Sequence, residues 1–489
     1  MTIINTNSGA INAQAVLQRV NGEMSTAVSR LSSGLRINAA KDDAAGMAIA
    51  EKMSSQIMGL NQSIRNATDG QKLIDTTEGA HVETSNMLQR LRELAVQSGN
   101  DTYTSQDRGK ISAEAKALVS EINRVAETTT FNGMKVMDGS FSGKQFQIGA
   151  DSGQTIEINV DSTSSDKIGG NFIRSAVAVV GSATTIAAQT VSVSGRQGNA
   201  DVEITAGMSA KDVAGRVNGV TSTTGVSASA VTKANLNSLS ASGTITMEVN
   251  GVSLGNVAIT DETDLTNLRD AINNVSGQTG VTAKLGDTNS EVVLTASDGR
   301  DIAITNFDHN GASGETLVVD GLDYAGEAAT STTNSSTLTQ GGTADATVTG
   351  QVTFSSANAF VVSTADNAAD GTAVFENAAT ASNLESVAEI DLTTVEGAAK
   401  AINVLDAAIG KISQQRSDLG AISNRLDSTI SNLTNISSNV QGAKSQITDA
   451  DFAAESTNLA RGQILSQAAT AMLAQANSSK QGVLSLLRG

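Results

Sequence analysis

The sequence predicts an α+β protein of several domains, with long helical ends and a β-rich middle that contains duplicated strand–helix–strand modules. Three observations carry this. Apolar residues recur at steps of three and four near both ends, Val/Ile/Thr runs alternate with period two in the middle, and charge is divided unevenly between these zones. Of 489 residues, 32 are Lys or Arg and 50 are Asp or Glu, a net charge of −18. Residues 1–138 hold 14 basic and 15 acidic side chains, and residues 387–489 hold 8 and 9, so the segment 139–386 carries −16. Near-neutral surfaces associate and acidic ones stay solvated, so the ends are expected to assemble and the middle to face water.

Leu17, Val20, Met24, Ala27 and Leu31 mark a first helix, and Met53, Ile57, Leu60, Ile64 and Ala67 a second. Asn38 to Asp43 separates them, and Asp42 or Asp43 can cap the next helix by accepting from its free N–H groups. Ser98-Gly99-Asn100-Asp101 ends the second helix, and a third is expected from about Ser105 to Glu127. Near the other terminus Ile402, Leu405, Ile409, Ile412, Leu419, Leu426, Ile430, Leu433 and Val440 keep the alternation, with Arg416, Ser423 and Ser437 as its polar members. Ordinary helices average ~11–12 residues, so a seam this long predicts coiled-coil or long-bundle packing. Gly22, Gly70 and Gly79 fall inside these helices, each costing up to about 1 kcal/mol relative to Ala.

Asn132-Gly133 and Asp138-Gly139 are tight-turn dipeptides at the edge of the middle zone. Strands are expected at Gln145–Ile148, Thr155–Val160 and Thr244–Val249, the last followed by the turn Asn250-Gly251. The middle also repeats itself at a constant offset of 55 residues: Val202, Ile204, Asn218, Val220, Thr224, Gly225, Val226 and Ala228 recur as Val257, Ile259, Asn273, Val275, Thr279, Gly280, Val281 and Ala283. Helical stretches at Ala210–Val217 and Leu265–Ile272 lie inside the copies, giving repeat units 201–228 and 256–283. Thr330 to Thr349, dense in Ser, Thr and Gly, reads as an exposed loop or loose hairpin.

Composition closes several routes. With no Cys, disulfides, thiolate metal sites and thiol catalysis are excluded. Roughly 24 prolines would be expected at about 5% usage, and there are none. The acidic balance argues against nucleic acid as a partner. The amino terminus lacks the basic and apolar regions of a signal peptide, and no apolar run approaches the ~20 residues that cross a bilayer. The chain is therefore expected in the cytosol, or outside by a route that ignores signal peptides. Enzymatic chemistry finds no purchase: His81 and His309 form no His-Glu-x-x-His, and neither a Gly-x-Ser-x-Gly elbow nor a phosphate loop is present. Asp308-His309-Asn310-Gly311 resembles a calcium loop faintly and lacks its ligand spacing. No cofactor and no metal is expected.

The amino end carries the run from Arg30 to Ala50, Leu88 to Ser98 and Thr130-Phe131-Asn132-Gly133. The other end carries Arg416 to Ala421, Asp451 to Glu455 and Ala471 to Asn477. In these runs the ends resemble bacterial flagellin. The match covers roughly 1–140 and 390–489, and Leu265 to Leu294 shows a weaker likeness to inserted flagellin modules. Ser478-Ser479-Lys480 departs from the family, which often places a proline there, and Gly489 follows the usual terminal Leu-Leu-Arg.

The resemblance implies a subunit that polymerises into the flagellar filament for swimming motility, exported through the flagellar type III channel without a cleaved signal peptide. It implies an inner helical polymerisation domain from 1–43 and 450–489, and a helical bundle with a hairpin from 44–175 and 390–449. A variable, surface-exposed β-rich region follows from 176–389. The polymerisation interface is expected to use Leu17, Val20, Met24, Leu31, Leu35, Leu459, Ile464, Leu465, Met472, Leu473, Leu484 and Leu487, flanked by Ile11, Val16, Val28 and Val483. Helices without a local partner pay a nucleation penalty, so both ends are expected to fold on assembly. Expected partners are the chain itself, an export chaperone, and the filament cap and hook-junction proteins. No nucleic acid and no membrane insertion is expected.

Two further carry-overs leave alternatives open. Gln89, Arg90, Leu94, Gln97, Ile111 and Glu114 match family positions contacted by the flagellin-sensing Toll-like receptor, and equally suit subunit contacts. Phe131, Asn132, Gly133, Asp138 and Gly139 read either as the bistable element of a supercoil switch or as an ordinary capping hairpin. Rival functions are a hook–filament junction protein and a filament subunit whose outer modules act as an adhesin. Ser/Thr-rich surfaces in 160–190 and 328–366 are candidate O-glycosylation sites.

Overall fold

The computed structural model describes residues 6–175, 179–180, 186–286, 288–311, 314–324, 326–327, 334–364 and 379–488, with side chains omitted at 179–180 and 480–488. Without proline nothing interrupts the amide ladder, and helices grow long. The helices are α1 (Ser8–Ser33), α2 (Ala44–Ser98), α3 (Ser105–Thr128), α4 (Ala210–Gly219), α5 (Thr221–Thr224), α6 (Thr266–Asn274), α7 (Ser276–Thr279), α8 (Val395–Thr448) and α9 (Phe452–Arg488). Two short hairpins follow α3, β1 (Thr130–Phe131) with β2 (Met134–Lys135) and β3 (Lys144–Gln147) with β4 (Thr155–Ile158). The middle then runs through β5 (Gly169–Arg174), β6 (Val179–Val180), β7 (Gln189–Ser194), β8 (Asn199–Ile204), β9 (Ser227–Asn237) and β10 (Gly243–Val249). Next come β11 (Val252–Ser253), β12 (Val257–Ile259), β13 (Thr282–Leu285), β14 (Val292–Ala296), β15 (Ile302–His309) and β16 (Thr316–Leu322). It closes with β17 (Ser335–Thr339), β18 (Ala346–Val348), β19 (Gln351–Ser356), β20 (Val361–Thr364), β21 (Ala379–Ala381) and β22 (Asn383–Ser386).

The chain packs as two compact units. One comprises residues 1–74, 143–158 and 420–489, the other 75–142 and 159–419. In the first, the β3–β4 hairpin lies on α2: the Asn66 amide donates to the Gln147 carbonyl at 2.9 Å, and Ile156 and Ile158 are buried. Gly70 lets this approach happen, since a Cβ there would meet Leu426, Ile158 and Phe146 at 3.4–3.6 Å. In the second unit α2, α3 and α8 share a core of Leu88, Leu91, Leu94, Ile122, Leu405 and Ile412. The seam expected from Ile402 to Val440 lies on α8, and its members are buried or half-buried.

The antiparallel sheets of the middle centre on β9, which pairs with β14, β16 and β19. A six-stranded sheet runs β11-β10-β15-β18-β6 with β12 on β10, and a four-stranded sheet runs β21-β20-β7-β8. Chain entering and leaving this region pairs directly, β5 against β22, and Arg174 and Glu385 form an ion pair across them. Thr330 to Thr349 departs from the expected loop. Its described residues supply β17 and β18, and Ala346 and Val348 are fully buried because β18 pairs with β15 and helps close the core. Residues 330–333 lie outside the described residues.

The repeat has a physical reason at each recurring position. In both copies a strand leads into a helix and out into a second strand in another sheet: β8–α4–β9 and β12–α6–β13. Asn218 donates to the Ala228 carbonyl and accepts from its N–H, both at 2.8 Å. Asn273 does the same to Ala283 at the same distances. The Thr224 and Thr279 hydroxyls cap the following turn from Val226 and Val281 N–H. Gly225 and Gly280 take the left-handed conformation, φ 73° and 72°, that ends each short helix. The apolar members, Val202, Ile204 and Val226 in one copy and Val257, Ile259 and Val281 in the other, are buried in two separate cores.

One layer of the helical core is polar. Arg416 pairs with Glu78 at 2.7 Å and Arg92 with Asp406 at 2.5 Å, an antiparallel register that sets His81 level with Gln415. Both are buried, at 0% and 8% exposure. Neither ring nitrogen of His81, nor the Gln415 amide, has a hydrogen-bond partner among the described residues. Loss of hydration drives the His81 pKa down to about 4, with Glu78 opposing and Arg416 reinforcing.

Asn218→Ala and Asn273→Ala should each destabilise the protein by about 1–3 kcal/mol, since each strands a buried backbone pair on the facing strand; denaturant midpoints read this directly. His81 gives a pH-dependent counterpart. Its ordinary pKa of 6.5 applies once unfolded, so between 6.5 and about 4 the unfolded chain binds more protons and stability falls as pH falls. The loss amounts to up to about 3 kcal/mol. His81→Leu should flatten this part of the stability curve, and unfolding midpoints on either side of the window, compared with the parent chain, measure the difference.

Candidate assembly surface

α1 and α9 lie antiparallel. The Asn7 amide donates to the Ala476 carbonyl at 3.1 Å, Arg30 Nη1 meets Glu455 Oε1 at 3.0 Å, and a Cβ at Gly462 would touch Met24 at 3.4 Å. Glu455 is 8% exposed, so the Arg30 charge compensates a carboxylate largely removed from water. At the open end of the pair, Gly34 caps α1 with φ 71°. Leu35 bridges to Asp449, Arg36 N–H donates to the Thr448 carbonyl at 2.7 Å, and Ala450 N–H donates to Gly34 at 2.9 Å. The two aspartates that follow divide their work. Asp43 accepts from Gly46 N–H at 2.8 Å and caps α2. Asp42 instead folds the loop before it by accepting from Ala39 and Asn38 N–H, which hold its carboxyl below the usual range.

The apolar residues expected at the polymerisation interface divide into a buried or half-buried set and an exposed set. Val20 is buried against α9, with Leu17, Met24 and Leu31 half-buried beside it; Leu459 and Leu473 are half-buried on the facing helix. Leu35, Ile464, Leu465 and Met472 are exposed, as are Ile11, Val16 and Val28. Two helices in contact cover one stripe of each, and these sequences are apolar on more than one stripe. The side chains of Val483, Leu484 and Leu487 lie outside the described residues. Phe452, 72% exposed, belongs with the outward set and was not singled out from sequence. Its signal was rarity, being one of nine Phe in the chain. A largely apolar groove of about 500 Å³ runs between the helices, bordered by Val16, Leu465, Ala468, Ala469 and Met472.

The second unit holds the other two residue sets. Arg90 reaches Glu114 at 2.9 Å and Glu93 at 2.8 Å, and Gln97 donates to the Tyr103 hydroxyl at 3.2 Å. Gln89, Arg90, Gln97 and Glu114 are exposed. Leu94 and Ile111 are not, at 1% and 8%, because they fill the core between α2 and α3. Leu94 is thus a support beneath that face and not an anchor on it.

Around the turns, Asn132 (φ 49°) and Gly133 (φ 77°) join β1 to β2. Asp138 accepts from Ser140 N–H at 2.9 Å and from its hydroxyl at 2.6 Å, which lowers its pKa. Gly139, at φ 89°, approaches Ser162 so closely that a Cβ would lie 3.2 Å away. Val136, Met137 and Phe141 are buried, and Met137 and Phe141 carbonyls accept from Thr163 and Val160.

His309 is held by Gly311 N–H at 2.9 Å and by the Ala241 carbonyl at 3.2 Å. Among the described residues no three His, Asp or Glu side chains converge as metal ligands, and no helix is long and apolar enough to cross a membrane.

Family comparisons match the helical ends and the repeated part of the middle. Residues 4–142 match the bacterial flagellin N-terminal helical region, and residues 402–487 the C-terminal helical region. Residues 190–243 and 244–298 each match the flagellin hook IN motif, consecutive copies that contain the two repeat units. Among similar proteins, the B-type flagellin of Pseudomonas aeruginosa is 39% identical over 99% of both chains. Flagellin B of Helicobacter pylori and the flagellin of Salmonella typhimurium are 34% and 35% identical, again over 99% of both chains. A solved hook-associated protein of Legionella pneumophila is 13% identical over 81% of this chain and 99% of its own, with a TM-score of 0.35.

Proposed function

The chain belongs to the bacterial flagellin family, and from that footing we propose how its ends perform assembly. It is a structural subunit of the flagellar filament, polymerises with its own copies, and works in the extracellular filament; it is not an enzyme. The observation that carries the mechanism is the set of exposed apolar residues Ile11, Val16, Val28, Phe452, Ile464, Leu465 and Met472, spread around a helix pair whose own seam is narrow. Left in water, that surface stabilises nothing and the helices pay their nucleation penalty alone. Covered by neighbouring copies, at roughly 25 cal/mol per Å² of apolar area, it repays folding of both ends. Folding is thereby tied to incorporation, and a head-to-tail contact whose rotation does not close yields a helical filament.

In this reading residues 1–43 and 450–489 form the inner polymerising layer, 44–175 and 390–449 the surrounding bundle, and 176–389 the displayed region. The exposed apolar residues of α9 are where an export chaperone would hold the chain before secretion; filament cap and hook-junction proteins would meet the ends of the polymer. Gln89, Arg90, Gln97 and Glu114 offer a charged, exposed face to a Toll-like receptor, supported from below by Leu94 and Ile111. The turns at Asn132-Gly133 and Asp138-Gly139 supply the supercoil switch, with Gly139 against Ser162 as its tightest contact.

Seeded elongation watched by electron microscopy tests the mechanism. The full chain should extend filament seeds, whereas a chain lacking 1–37 and 452–489 should keep its bundle and sheet circular dichroism yet add nothing. Equal elongation by both chains would move assembly to the acidic middle and refute the coupling.

A further inference from the structure

The sequence contains five Asn-Gly pairs, at Asn21, Asn132, Asn218, Asn250 and Asn310, and the fold treats them unequally. Asn-Gly is the dipeptide most open to cyclisation, because glycine leaves the attacking backbone nitrogen unhindered. What governs the reaction in a folded chain is whether the carboxamide and that nitrogen are free to meet. Asn132 and Asn250 form a matched pair for this question. Both sit at the first corner of a hairpin turn, with φ 49° and 48°, and each is followed by a glycine at φ 77° and 76°.

Their side chains differ. The Asn250 carboxamide is tied at both ends, donating to the Thr279 carbonyl at 3.2 Å and accepting from Ala303 N–H at 2.8 Å. Asn132 is exposed, its carboxamide has no hydrogen-bond partner among the described residues, and no backbone acceptor there takes Gly133 N–H. Its flanking strands are two residues each, so little pairing resists the turn's rearrangement. The other three pairs are restrained. Asn218, on α4, is bonded twice to Ala228 on β9. Asn310 accepts from Thr244 N–H at 2.7 Å, while Gly311 N–H is taken by His309. Asn21 lies inside α1, where the following N–H belongs to the helix ladder.

We propose that Asn132 is a site of spontaneous deamidation, selected by the fold from among these five pairs. Gly133 nitrogen attacks Asn132 Cγ, a C–N bond forms, the Cγ–Nδ2 bond breaks, and ammonia leaves carrying the amide proton. Water then opens the cyclic imide at either carbonyl, giving aspartate, or isoaspartate with an extra methylene in the backbone. No oxidant or reductant is involved. The product adds a negative charge at a turn and, as isoaspartate, lengthens the two-residue connection between β1 and β2.

The test is peptide mapping by mass spectrometry of the full soluble chain held folded at mildly alkaline pH, with isoaspartate scored by an isoaspartyl methyltransferase. The peptide bearing Asn132 should convert roughly tenfold or more faster than that bearing Asn250, as two extra hydrogen bonds must break at the latter. Equal rates in the folded chain overturn the proposal. In guanidinium the two should converge; a persistent lead of Asn132 there would trace the selectivity to neighbouring residues and overturn the role of the fold. Neither outcome depends on how the ends assemble. Asn21 converts only where α1 is unfolded, so its rate reports separately on the amino end.

Discussion

Everything in this molecule hangs on segments hundreds of residues apart lying side by side. α2 is paired with α8 through Glu78–Arg416 and Arg92–Asp406 and through the apolar layers between them. Once those helices are fixed antiparallel, the chain must leave and re-enter the bundle at adjacent points. The pairing of β5 with β22 is the consequence, with Arg174 and Glu385 closing the neck. A region that begins and ends at one neck can vary without disturbing the helices beneath it. Such exchange contacts are expensive in loop entropy and give little until both partners are present.

That constraint explains where the small, local devices are placed. Within the middle, Asn218 and Asn273 each tie a helix to the strand that follows ten residues later, so each module closes on itself by short-range contacts. The cores are built from Val, Ile and Leu, with Phe141, Phe354 and Phe360 among the few aromatic contributors. Branched aliphatic side chains pack small modules well without demanding polar partners. The buried His81 and Gln415 depart from this, and they lie where the long helices must choose a register. A polar layer in a helical seam penalises sliding, since a shift leaves each polar group facing an apolar one.

Legibility in the sequence followed the same division. The helices, their breaks and the 55-residue repeat were readable because each rests on local rules: 3/4 spacing, turn dipeptides, and identical residues doing identical jobs in two copies. Asn218 and Asn273 recur at the 55-residue offset, and each does the same job of bonding to the strand that follows. What was not readable depended on partners. Leu94 and Ile111 have the composition of a contact surface, yet α3 folds over α2 and takes them inside. Thr330 to Thr349 has loop composition, and only the vacancy beside β15 turns Ala346–Val348 into a buried strand. On α1 and α9 the apolar residues are evident, but which stripe meets the partner helix is a matter of geometry; Val20 went inward and Val16 outward.

This last ambiguity follows from the work the ends do. A helix that pairs with one fixed partner needs a single apolar stripe, and its sequence then states which face is buried. A helix that must pair with α9 and also with other copies needs apolar residues around more of its circumference, so the pattern blurs as the demands on it multiply. Ile464 and Met472, two-thirds exposed on α9, are the residues that would meet that second demand in the proposed mechanism. The same residues leave the isolated ends with much of their apolar surface in water. Under the proposed mechanism, weak packing within one chain and strong packing between chains would be two consequences of one distribution of side chains.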